Sequence, residues 1–131
     1  MDEKQEKLLK EFLEKFGDLR DLTLEKYTSL DNNRDDFTYW VEHKLGEFGG
    51  IKGGNSYKFV IYEYNTQPES NYDEKYAWTN SFNDRDSAFE HVKTALIAIV
   101  NAALSEEVSY DKIDKVKLGD AYKWKVAFLY S

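Results

Sequence analysis

Leu8, Leu9, Phe12, Leu13 and Phe16 recur at intervals of three and four, which places them on one face of a helix that Gly17 ends. After a linking stretch with Leu19, Leu22, Leu24 and Tyr27, a second stripe follows at Phe37, Trp40, Val41, Leu45 and Phe48. Asp31, Asn32, Asn33, Asp35 and Asp36 precede it as capping material, and Gly49-Gly50 closes it. The segment GGIKGGNSYKF then holds four of the seven glycines and reads as a loop.

The rhythm changes at residues 57–64 (YKFVIYEY), a β-branched and aromatic run without a breaker that predicts a strand. The polar stretch 65–73, with the only proline at 68, is too short for a helical crossover, so residues 75–79 (KYAWT) should pair antiparallel with that strand. The strongest helical pattern is Ala88, Phe89, Val92, Ala95, Leu96, Ile99, Val100 and Ala103, capped by Asn83 or Asp84. A short helix is expected over 109–116, and Gly119-Asp120 turns into a last strand over 121–130. There Tyr122, Trp124, Val126, Phe128 and Tyr130 alternate with Ala121, Lys123, Lys125, Ala127 and Leu129. The expectation is an α+β domain: a small, mainly antiparallel sheet of three or four strands against three to four helices, in the order α-α-β-β-α-β.

With 131 residues, 41% of them hydrophobic, the chain has the length of one domain and enough apolar material for a core. The absence of cysteine excludes disulfides and thiolate metal sites and is compatible with a reducing, cytoplasmic setting. Residues 1–10 mix both charges and lack the apolar stretch of a signal peptide. The longest apolar run, 95–104, is broken by Asn101 and falls far short of the roughly 20 residues that span a bilayer, so a soluble chain is expected. The chain closes on Phe128-Leu129-Tyr130-Ser131 with no polar tail, as expected of the amino-terminal domain of a longer protein.

The net charge of −7 opposes binding to nucleic acid through phosphate neutralisation alone. Its distribution weakens that objection: residues 1–50 hold 8 basic and 13 acidic side chains, whereas residues 112–131 hold five lysines against Asp114 and Asp120. Lys123 and Lys125 share a face of the expected last strand, and Lys52 and Lys58 flank the glycine turn. These four either form a local basic strip or merely keep an open face soluble.

Catalytic patterns are missing. His43 and His91 have no second histidine at ligand spacing, no serine sits in a G-x-S-x-G elbow, and the glycine loop lacks phosphate-loop spacing and precedes a strand. Glu42-His43-Lys44 has the E-x-K spacing of metal-dependent nucleases, but on a helix residues two apart point to different sides, so it reads as a solvated helix surface. No enzyme activity, metal or cofactor is expected. The remaining unusual feature is the crowding of eight aromatics into residues 57–82, either as core or as a stacking platform with Tyr62 and Tyr64 on an open sheet face.

Residues 37–64 (FTYWVEHKLGEFGGIKGGNSYKFVIYEY), 75–92 (KYAWTNSFNDRDSAFEHV) and 118–131 (LGDAYKWKVAFLYS) resemble the amino-terminal region of bacterial McrB-type proteins. These are the GTP-using AAA+ subunits of McrBC-like, 5-methylcytosine-specific restriction systems, and the resemblance covers about residues 30–131. It implies a non-catalytic DNA-recognition domain in phage defence, with modified DNA as partner, an AAA+ part for self-assembly and a separate nuclease subunit. Reading a flipped, modified base would need an aromatic cage, polar groups for the base edge and lysines for phosphates. The candidates are Trp78, Tyr62 and Tyr64 for stacking, Asn55 and Ser56 for the edge, and Lys52, Lys58, Lys123 and Lys125 for phosphates. The rival expectation is an acidic module that contacts a protein and never touches DNA.

Overall fold

A computed structural model describes residues 2–29, 35–48, 56–68, 71–105 and 110–131. The fold is α+β and mostly helical, with six α-helices and a two-stranded antiparallel sheet among the described residues. Helix α1 (Glu3–Phe16) starts at Asp2, whose carboxylate accepts from the Gln5 backbone N–H while its own N–H donates to the Gln5 side-chain oxygen. It ends at Gly17, whose φ of +46° lets its N–H reach the Leu13 carbonyl at 2.8 Å. The linking stretch forms a 3-10 turn, Leu19–Asp21, and one helical turn, α2 (Leu24–Tyr27).

The second stripe is helical but not uniformly so. Helix α3 (Phe37–Tyr39) passes into a π-turn, Trp40–Lys44, in which the Leu45 N–H donates to the Trp40 carbonyl at 2.8 Å, and then into a 3-10 turn, Gly46–Phe48. Phe37, Trp40, Val41 and Leu45 are all buried.

Strands β1 (Ile61–Glu63) and β2 (Tyr76–Trp78) pair antiparallel as expected, with Ile61 opposite Trp78, but β1 is shorter than residues 57–64. The missing part is a 3-10 turn, Ser56–Phe59, whose carbonyls bond elsewhere: that of Lys58 accepts from the Gly119 N–H and that of Phe59 from the Tyr27 hydroxyl. Val60, at φ 70°, redirects the backbone into the strand.

Helix α4 (Arg85–Leu104) is the expected central helix, and Asp84 is its cap, accepting from the Ser87 N–H at 2.8 Å. The short helix α5 (Tyr110–Asp114) follows. The predicted last strand is instead helix α6 (Asp120–Tyr130), so the order α-α-β-β-α-β and the third strand are corrected. Tyr122, Val126 and Tyr130 stand four apart as well as two apart, and α6 lies along α4 with Leu129 and Ala127 also buried. Burial around most of the helix erases the polar stripe that would have marked its period. Gly119, ahead of α6, touches the Lys58 backbone so closely that a Cβ would stand 3.1 Å from the Lys58 Cα.

One aromatic cluster joins the start and the end of this core: Phe12 contacts the rings of Phe16, Phe37, Trp40 and Tyr130 at centroid distances of 5.2, 5.6, 6.2 and 5.7 Å. A buried hydroxyl chain crosses it. Tyr122 donates to the Tyr27 hydroxyl at 3.0 Å, and Tyr27 donates to the Phe59 carbonyl at 2.8 Å. No described helix is long and apolar enough to cross a membrane.

At the rim, Asp35 holds α1 to the π-turn. It pairs with Lys15 at 2.5 Å and Lys44 at 3.1 Å and accepts from the Trp40 indole N–H at 2.8 Å. Lys15 foremost, with Trp40 and Lys44, outweighs burial and holds the Asp35 carboxyl at about 2. Since its folded value lies below the ordinary 3.8, the stabilisation is present above about pH 4 and disappears as pH falls towards 2. Asp35→Asn should therefore lower the urea midpoint at pH 7 and flatten its fall between pH 4 and 2. An unchanged acid limb would show that the cluster contributes nothing.

Candidate binding cleft

Asp36 starts the cleft because it starts α3. Buried to 5% exposure, its carboxylate accepts from the Tyr39 N–H at 2.8 Å, the Thr38 hydroxyl at 2.9 Å and the Ser29 N–H at 3.0 Å. The π-turn then sends Trp40 and Val41 to the core and leaves Tyr39, Glu42 and His43 on the side facing β1. The Tyr39 and His43 rings lie 4.9 Å apart, and the His43 Nε2 is 2.9 Å from a Glu42 oxygen. From the other side β1 and its continuation bring Tyr62, Glu63 and Tyr64. The half-open space between them has a volume of about 340 Å³, at the lower end of the range for small-ligand sites.

Lys58, an expected phosphate contact, is turned inward here. Its ammonium pairs with Glu42, lies 5.0 Å from the centre of the Phe59 ring, and its side chain is 18% exposed. Tyr62 and Tyr64 are half-buried, and the Tyr64 hydroxyl donates to the Asp73 carbonyl while its ring meets that of Tyr72 edge-on. Partial burial, followed by the Asp73 carboxylate, pushes the Tyr64 phenol up.

The other candidates do not join these residues. Trp78 is 6% exposed, and its indole donates to the Phe82 carbonyl at 3.0 Å; opposite Ile61 in the register it belongs to the core, not to a stacking surface. Lys123 and Lys125 were expected on an open strand face, but on α6 they are 3% and 5% exposed. The Lys123 ammonium closes the turn after α5, donating to the carbonyls of Asp114 at 2.7 Å and Val116 at 3.3 Å, with an Asp120 carboxylate oxygen at 3.2 Å. Buried amines of this kind have no access to a phosphate backbone. Lys52 and Asn55 lie outside the described residues, as does the side chain of Ser56. Glu42 and Lys44 do diverge, Glu42 to Lys58 and Lys44 to Asp35 and the Trp40 ring, as expected of positions two apart on a helix.

Sequence reasoning missed Asp36, Tyr39, Glu42 and His43 as partners of Tyr62 and Tyr64. No local signal marks the π-turn that aims these side chains at β1, because Phe37, Trp40, Val41 and Leu45 stand at ordinary helical spacing. Among the described residues no group of three or more His, Asp or Glu is placed to hold a metal ion. Comparison of the chain with family models, with curated proteins and with solved structures finds no match.

Proposed function

We propose that the domain is a non-catalytic recognition module for a protein partner, which it engages through the cleft between the π-turn and β1. The carrying observation is the cleft's lining: tyrosine and histidine rings beside Asp36, Glu42 and Glu63, with the nearby Lys58 ammonium neutralised by Glu42. Tyrosine hydroxyls, an imidazole and carboxylates suit the polar and aromatic groups of a protein surface, and the Lys58 ammonium is committed to Glu42 instead of to a phosphate. In the McrBC-like setting that the resemblance implies, the module would report the partner to an AAA+ motor.

The DNA-reading alternative keeps one observation in its favour. Tyr62 and Tyr64, both expected to stack on a base, line one cavity with Glu42 and Glu63, and a carboxylate is a fitting acceptor for the exocyclic amine of cytosine. Selection of a randomised peptide library on the immobilised domain, run beside a gel-shift panel of methylated, hydroxymethylated and unmodified duplexes and single strands at low salt, separates the two. The expected result is peptide enrichment that Tyr62→Ala abolishes and no DNA complex. A DNA complex that Tyr62→Ala abolishes would overturn the proposal.

A further inference from the structure

We infer that a second cavity, between the β2–α4 loop and the α5–α6 loop, binds a small phosphate ester that carries a planar ring, of the size of a nucleoside monophosphate. It shares no lining residue with the cleft, and the inference is independent of the protein-partner reading. Its volume is about 580 Å³, within the range of small-ligand sites. Hydrogen bonds fix its walls. The Thr79 N–H donates to the Val60 carbonyl at 3.0 Å, the Trp78 indole to the Phe82 carbonyl at 3.0 Å, and the Gly119 N–H to the Lys58 carbonyl at 3.2 Å. His91, from α4, reaches the Lys117 carbonyl with Nε2 at 3.0 Å; a carbonyl only accepts, so Nε2 carries the proton. That bond ties the α5–α6 loop to α4 and holds the imidazole beside the Phe82 ring, with centroids 5.0 Å apart.

The lining selects the ligand. Although the chain carries a net charge of −7, no carboxylate lines this cavity among the described residues, and Lys117 supplies a cation. Asp120, next in the chain to Gly119, stands 3.2 Å from the Lys123 ammonium. The side chains of Thr79, Ser81 and Lys117 make no hydrogen bond or ion pair among the described residues, so two hydroxyls and one ammonium remain as donors. They match the three terminal oxygens of a phosphate ester, where a carboxylate offers only two. The Phe82 and His91 rings, together with the buried Val60 and Leu118, give an apolar and aromatic wall against which a planar ring stacks. Stacking of this kind tolerates any base, so the wall defines the class of ligand and not the base.

The test is a 15N–1H titration of the 131-residue chain with AMP, beside adenosine as the ring without the phosphate and ribose phosphate as the phosphate without the ring. Saturable shifts are expected with AMP at Ser81, Phe82, His91, Lys117 and Gly119. Each control should bind about tenfold more weakly, the loss expected for one charge-assisted hydrogen bond or one stacked ring. Lys117→Gln, at an exposed position, should weaken AMP about tenfold with the remaining spectrum unchanged. Ser81→Ala, also exposed, should weaken it by less. The absence of saturable shifts with AMP, a control that binds as tightly as AMP, or full affinity in Lys117→Gln overturns the assignment and leaves the protein-partner reading standing. Saturable shifts confined to Tyr62 and Tyr64 would put the nucleotide in the cleft and overturn both.

Discussion

Phe12→Ala should cost about 3–5 kcal/mol of folding stability, a large share of the roughly 5–15 kcal/mol that holds a domain of this kind together. Phe12 is fully buried among four rings. Two of them, Phe37 and Trp40, sit on α3 and the π-turn, and Tyr130 ends α6. These elements are fixed by contacts of their own, so the space left by a lost ring cannot close by the movement of one helix, and the cavity remains. Urea unfolding should show a lower midpoint at an unchanged slope. A loss below about 1 kcal/mol would mean that the surrounding rings relax into the gap after all.

Tyr27→Phe should be nearly as damaging although it removes a single oxygen. That oxygen donates to the buried Phe59 carbonyl and accepts from the Tyr122 hydroxyl, so its loss strands one group on either side, at about 1–3 kcal/mol each. Tyr122→Phe should cost less, about 0.5–1.5 kcal/mol, because Tyr27 keeps its bond to Phe59. Equal losses would show that the direction of donation is wrong. The same residues set the alkaline limit. Burial pushes both phenols above their ordinary value of 10.0, so the neutral pair stabilises the fold below about pH 10 and that contribution is lost as pH rises further. Tyr27→Phe should accordingly flatten the alkaline limb of the stability profile.

Much of the fold was legible where one side of an element meets water. The stripe from Leu8 to Phe16 and the long pattern from Ala88 to Ala103 were read as helices because polar residues filled the other face, and Asp84 marked the start of the latter. Residues 121–130 were misread because their burial removes that contrast. Lys123 and Lys125 supplied polar letters at alternate positions, yet both side chains are inside, Lys123 held by the carbonyls of Asp114 and Val116. No local signal distinguishes such a lysine from one on the surface. The cleft was half legible. Tyr62 and Tyr64 were expected together from strand alternation, but their partners come from a turn whose extra residue defeats the ordinary helical phase.

The hydroxyl bridge from Tyr27 to Tyr122 spans 95 positions. During translation at about 5–20 residues per second, that separation delays its closure by on the order of ten seconds after Tyr27 has been made. Over the same interval the apolar face of α1 has no Tyr130 to cover Phe12. Phe16, Phe37 and Trp40 are available to Phe12 earlier, but the side that Tyr130 covers stays open until α6 emerges. Slowing the ribosome between α4 and α6 lengthens that exposure, so synonymous codon changes confined to this stretch are expected to lower the yield of folded protein without altering a single contact in it.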